Sequence, residues 1–162
     1  MFGFGKKKKE LINDEKLYAP VSGKVADLTT VSDPVFAQKM MGEGFAIEPE
    51  DPVVVSPAAG TVTVLQPHAV GLKRADGLEV LVHMGIDTVS MNGKPFKLFV
   101  KVGDVVAGGD KLAEVDWPMI KAAGFPLTTM VLITNSKDAL DKFSVNYGPA
   151  QQGQEIGQAT SK

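Results

Sequence analysis

The chain has 162 residues, of which 44% are hydrophobic and 22% charged, the size and make-up of one ordinary globular domain. Seventeen Lys and Arg against nineteen Asp and Glu leave a formal net charge of −2, so there is no basic field for a nucleic-acid backbone and no nucleic-acid partner is expected. Cysteine is absent, which excludes a disulfide scaffold, a thiol nucleophile and thiolate metal sites, and no run approaches the roughly 20 apolar residues of a membrane span.

Along the chain, Met1-Phe2-Gly3-Phe4-Gly5 precedes Lys6 to Lys9, the reverse of the charge-then-apolar order of a secretory signal, and the expected compartment is the cytoplasm. Residues 1–16 read as a flexible amino-terminal segment ahead of a single domain over 17–162. Within that segment, residues 1–10 could touch an anionic membrane surface weakly through Phe2, Phe4 and the lysines, although two glycines resist helix formation. Seventeen glycines and ten prolines cut the apolar sequence into short pieces. Strands are predicted over 25–28, 44–47, 61–65, 78–83, 96–100, 128–134 and 143–147, all rich in β-branched residues and bounded by turn formers. Ser32-Asp33-Pro34 is predicted to cap a helical turn running to Met40, with Pro34 at its first position. Asp116 should cap a second short helix through Ala123, which Gly124 stops. The Gln-rich stretch from Gln151 should fray unless a strand near Glu155 to Ala159 is pinned down. Many short strands without βαβ alternation predict an all-β protein, an antiparallel sandwich or barrel with a few short helical turns.

Two weak repeats run through this pattern. Pro20-Val21-Ser22-Gly23-Lys24-Val25 is echoed by Pro57-Ala58-Ala59-Gly60-Thr61-Val62, each a turn entering a strand. Gly103, Gly108 and Asp110 have the spacing of Gly148, Gly153 and Glu155. Either a duplication or the reuse of turn chemistry would produce them.

The chain holds only two histidines, His68 and His83, on either side of Arg74-Ala75-Asp76-Gly77, and Asp-Gly is a hairpin signal. With a four-residue loop His68 falls opposite His83; with a two-residue loop His83 faces Val70 and is the diagonal neighbour of His68. Both even loops put the imidazoles on one face within about 4.5–8 Å at Cβ, and an odd loop would break the parity. Such a pair could bind a metal, act as general base and acid, or accept a phosphoryl group on nitrogen. Metal is disfavoured because zinc wants three or four protein ligands and no third histidine exists. Leu81 shares a strand face with His83, and Phe36, Val64 and Met84 could supply an apolar collar suited to docking another protein.

Leu81-Val82-His83-Met84-Gly85-Ile86-Asp87-Thr88-Val89 closely resembles the phosphohistidine signature of the glucose-type enzyme IIA of the bacterial sugar phosphotransferase system. Residues 19–23, 33–47, the His68-Ala69 segment and Gly103-Asp104 onward to Leu112 match in order and spacing. The resemblance implies a β-sandwich with a duplicated hybrid motif. It also implies that His83 accepts a phosphoryl group from the phosphocarrier HPr, that the chain passes it to a cysteine of a cognate IIB domain, and that His68 stabilises the phosphohistidine. On the same resemblance, Asp33 and Asp87 face basic groups of HPr, and Val35, Phe36, Met40, Met41 and Leu81 match the apolar contact patch. The chain departs from the family pattern at Gln66, where Thr often supports the histidine pair, at Pro67 and at Val64. No cofactor beyond the covalent phosphohistidine is implied. No metal is assigned, although His68 and His83 could ligate zinc together with a partner protein.

Two rivals are weaker. A lysostaphin-like zinc peptidase needs more imidazoles than the chain has. A biotin or lipoyl carrier, suggested by Gln38-Lys39-Met40, needs its lysine on a hairpin tip, whereas Lys39 falls in a helical-turn signal.

Overall fold

Short β-branched runs between glycine and proline turns form antiparallel ladders throughout the computed structural model, which describes residues 10–162. The strands are β1 (Lys16–Tyr18), β2 (Gly23–Asp27), β3 (Glu43–Ile47), β4 (Val53–Val55), β5 (Gly60–Gln66), β6 (Ala69–Lys73), β7 (Glu79–Met84), β8 (Phe96–Leu98), β9 (Val105–Val106), β10 (Lys111–Val115), β11 (Thr129–Ile133), β12 (Leu140–Val145), β13 (Gly148–Ala150) and β14 (Glu155–Ser161). They make one eight-stranded sheet, ordered β13-β2-β3-β11-β7-β6-β5-β9, and two three-stranded sheets, β4-β10-β8 and β1-β14-β12. The expected all-β class is therefore observed. The membrane contact considered for Phe2, Phe4 and Lys6 to Lys9 lies outside the described residues. Strand pairing begins at Lys16, opposite Gln158, one residue inside the segment expected to be loose. The carboxyl terminus is held: β14 is sandwiched between β1 and β12.

Three short helices interrupt the strands: α1 (Pro34–Ala37), α2 (Trp117–Ala122) and α3 (Ser136–Ala139). The first two start as their sequences dictate. The Asp33 carboxylate accepts from the Val35 N–H and that of Asp116 from the Met119 N–H, and proline occupies the first turn of each. Leu28, expected to end a strand, instead enters a 3-10 turn over Leu28–Thr30, because the Asp27 carboxylate accepts from the Thr29 N–H and caps it.

The repeats describe a real internal relation. The Val55 N–H donates to the Pro20 carbonyl and the Tyr18 N–H to the Pro57 carbonyl, a reciprocal exchange between the two Pro-x-x-Gly-x-Val turns. Ala19 exchanges bonds with Gly153 and Gln154 in the way that Ser56 does with Gly109 and Asp110. The turn glycine equivalent to Gly153 is thus Gly109, with positive φ, not Gly108. Gly108 lies flat against the Tyr18 ring, where no Cβ would fit.

The centre of the large sheet is buried on both faces, which explains the unbroken apolar run of β11. Phe45, Ile47, Val80, Val82, Met84, Val131 and Ile133 point into the main core. Ala46, Met130 and Leu132 point the other way and pack with Leu28, Val31, Phe36 and Ile86, so the segment from Leu28 through α1 covers that outer face. By the period of two along a strand, Leu81 and His83 project to the same outer face.

Candidate functional site

His83 stands on the outer face of β7 where the covering segment ends. Phe36 of α1 reaches over it, with ring centroids 5.1 Å apart and planes at 55°. The His68 ring meets it edge-on, with centroids 5.0 Å apart and planes at 76°. The two histidines therefore converge as expected, but by a different route. Ala69, not His68 or Val70, faces His83 across the ladder. Lys73 pairs with Glu79, and the Arg74 N–H donates to the Leu78 carbonyl, leaving Ala75-Asp76-Gly77 as a three-residue tip with Gly77 at φ 93°. That odd loop, closed by the Gly77 N–H donating to the Arg74 carbonyl and by a left-handed glycine, breaks the parity of both predicted registers. The Asp76 carboxylate is bound there to the Arg74 guanidinium, at 2.6 and 3.1 Å.

What rescues the pair is the other end of the hairpin. Gln66 and Ala69 are paired, so Pro67 and His68 form a two-residue turn between β5 and β6. Side chains in such a turn leave the alternation of the strand. The His68 carbonyl accepts from the Met84 N–H at 2.9 Å, which clamps the turn beside His83.

Past His83 the chain is locked. Gly85 (φ 81°) and Asp87 (φ 63°) are both left-handed. The buried Thr88 hydroxyl donates to the Met84 carbonyl at 2.7 Å, and the Ile86 N–H donates to the Pro126 carbonyl. This geometry aims the Gly85 carbonyl oxygen at His83 Nδ1, 2.8 Å away. A carbonyl oxygen only accepts, so Nδ1 carries the proton and Nε2 carries the lone pair. Sequence reasoning missed Gly85; a glycine just past the end of a strand, two residues after a histidine on it, is a signal for such a turn.

Burial pushes the His83 pKa below its ordinary value, and the neighbouring His68 pushes the same way. The hydrogen bond to Gly85 and the charges of Asp33 and Asp87 oppose this without cancelling it. Burial also lowers His68, whose residue is only 8% exposed. Both imidazoles are thus held neutral near pH 7.

The expected rim is present in part. Val35, Met40, Met41 and Val64 are exposed hydrophobics, and Leu81 is half-buried against the outer cluster. Met84 is corrected: it is fully buried in the main core, because it follows His83 on β7 and so points to the opposite face. Phe36 is 8% exposed and belongs as much to the outer cluster as to the surface. Gln66 and Pro67 line a cavity of about 120 Å³ beside His68, together with Thr88, Val89, Asn92 and Gly93. Val89, strongly exposed, is an apolar rim residue that the sequence reading left out.

Among the described residues, no group of three or more His, Cys, Asp or Glu side chains is arranged to hold a metal ion. Lys39, weighed as a carrier lysine, follows α1 and its Nζ is bridged to Glu43 at 3.1 Å. Among the described residues, no helix is long and apolar enough to cross a membrane.

Residues 15–139 match the family model described as phosphoenolpyruvate-dependent sugar phosphotransferase system, EIIA 1. The chain is 51% identical over 123 residues to the PTS system glucose-specific EIICBA component of Streptococcus pneumoniae, covering 75% of this chain but only 17% of that protein. It is 44% identical over 140 residues to the PTS system glucose-specific EIIA component of Halalkalibacterium halodurans, covering 83% and 81% of the two. The structure of glucose permease IIA from Mycoplasma capricolum superposes with a TM-score of 0.78 at 34% identity, covering 88% of this chain and 93% of that one.

Proposed function

The chain belongs to the EIIA 1 family of the phosphoenolpyruvate-dependent sugar phosphotransferase system, and from that premise we propose that it carries a phosphoryl group on His83 Nε2, taken from HPr and passed to the cysteine of a IIB domain. The observation that carries this reading is the lone pair on Nε2, left free by the Nδ1–H bond to Gly85 and held unprotonated by burial, beside a second imidazole.

In the first step Nε2 attacks the phosphorus of phosphorylated HPr. The new P–N bond forms as the bond to the donor nitrogen breaks, and that nitrogen keeps the electron pair. Little covalent chemistry is asked of the protein, so positioning and donors for the phosphoryl oxygens dominate. His68, neutral and with one N–H to give, is the donor. In the second step the IIB thiolate attacks, the P–Nε2 bond breaks, and the pair returns to His83. Nδ1 keeps its proton throughout and donates it to the Gly85 carbonyl. Asp33 and Asp87 face basic groups of HPr around the apolar rim of Val35, Phe36, Met40, Met41, Val64 and Leu81. No cofactor is needed, because the histidine itself holds the group.

Relatives named EIICBA and EIIBCA components support a IIB partner, and the compartment proposed is the cytoplasm. The test is incubation with phosphorylated HPr followed by mass spectrometry. The chain should gain one acid-labile phosphate and His83→Ala none; phosphate on a serine or threonine would overturn the reading.

A further inference from the structure

We propose that Tyr147 is a docking residue, the outer anchor of a strip completed by Met40 and Met41 that the basic face of HPr covers. This rests on the reading of the chain as an acceptor from HPr. Tyr147 lies between β12 and β13 and is 55% exposed, a large aromatic left in water. Strand pairing fixes its place. Gly148 faces Val25 at the start of the β13–β2 ladder, so Tyr147 stands beside the end of β2 at Ala26 and Asp27. Asp27 in turn faces Phe45 of β3, two residues after Glu43. Glu43 is bridged to Lys39, and Lys39, at φ 61°, turns the chain outward into Met40, which is 70% exposed.

The strip thus runs from Tyr147 past Asp27 and Glu43 to Met40 and Met41, adjoining the α1 rim over His83. Its chemistry is that of an interface: an aromatic, which gives large contact area at small entropic cost, and flexible methionines that adapt to a partner. Its edge is acidic. Lys39 is taken up by Glu43, while Asp27 lies against the Tyr147 phenol and raises its pKa, second to burial. With Asp33 and Asp87 at the site, the carboxylates call for a basic partner.

The experiment measures transfer from phosphorylated HPr to the full chain across a range of HPr concentrations. Tyr147→Ala should raise KM about 5- to 30-fold with kcat near wild type. Tyr147→Lys should raise it further, and Tyr147→Phe should stay within about twofold. Thermal unfolding of each variant separates docking from folding, and Tyr147→Gln, which removes the ring but keeps a polar side chain in water, should raise KM like Tyr147→Ala and reads the ring if the other two fail to fold. Wild-type KM in both Tyr147→Ala and Tyr147→Lys overturns the inference while leaving the phosphocarrier reading intact. Failure of the wild-type chain to take phosphate from HPr overturns both.

Discussion

The Gly85 carbonyl oxygen sits 2.8 Å from Nδ1 of His83 and decides which nitrogen of that ring can react. Everything that holds the carbonyl, from the left-handed backbone of Gly85 to the buried Thr88 hydroxyl, therefore helps to fix the tautomer of that ring.

Gly85→Ala tests this arrangement. A Cβ there would lie 2.5 Å from Thr88 Cγ2, on a β-branched side chain held by its own hydrogen bond, and the backbone has φ 81°. The variant should lose about 1–3 kcal/mol of stability and should accept phosphate more slowly than its loss of stability explains. Chemical denaturation and single-turnover phosphorylation check both.

His68→Ala should still be phosphorylated on His83 but should pass the group to IIB about 30- to 1000-fold more slowly, the cost of losing one preorganised donor, about 2–4 kcal/mol. His68→Gln restores a donor and should recover part of the rate. Gln66, which lines the cavity beside His68, can soften the alanine defect through its amide. Rates equal to wild type in both variants would make His68 a bystander.

Phe36 and Val35 should behave differently although they are neighbours. Phe36 packs into the outer cluster and against the His83 ring, so Phe36→Ala should cost about 3–5 kcal/mol. Charge at that position should unfold the outer face rather than merely weaken docking. Val35 is exposed, so Val35→Asp should leave stability within about 0.5 kcal/mol and raise KM for HPr. Equal stability of Phe36→Ala and wild type would contradict the packing described.

Both imidazoles have pKa values lowered from 6.5 by burial. The folded chain therefore binds fewer protons than the unfolded chain just below that pH. Their contribution to stability is full above about 6.5 and is lost as the pH falls through the folded values. NMR titration of the ring protons should place both midpoints below the ordinary histidine value, and acceptance of phosphate should hold level near pH 7 and fall on the acid side. A midpoint above 6.5 for His83 would reverse the sign of both effects.

Local rules made much of this readable from the residues. Asp33-Pro34 and Asp116 cap their helices because a carboxylate at the N-cap satisfies a free N–H whatever the rest of the fold does. The central strands β7 and β11 were legible because each is an apolar, β-branched run, and β3 because its apolar Phe45-Ala46-Ile47 follows the Gly42 turn. The edge strands β1, β4 and β13 were not, since three residues pair only when a partner strand is already in place. At the site, the residue types named the histidine pair while the register argument failed, because the tip at Ala75-Asp76-Gly77 spends Asp76 on Arg74 and takes an odd number of residues. Burial of Phe36 escaped because the cover over the outer face of β7 depends on where the segment after Leu28 folds back, whereas burial of Met84 follows from strand alternation beside His83.

The most direct test is the position of the phosphate on the ring. Heteronuclear NMR of the chain phosphorylated by HPr, with ¹⁵N-labelled histidine, distinguishes the two nitrogens of each imidazole. The account predicts coupling of phosphorus to Nε2 of His83 alone, with Nδ1 still protonated. Phosphorus on Nδ1 of His83, or on either nitrogen of His68, would contradict it.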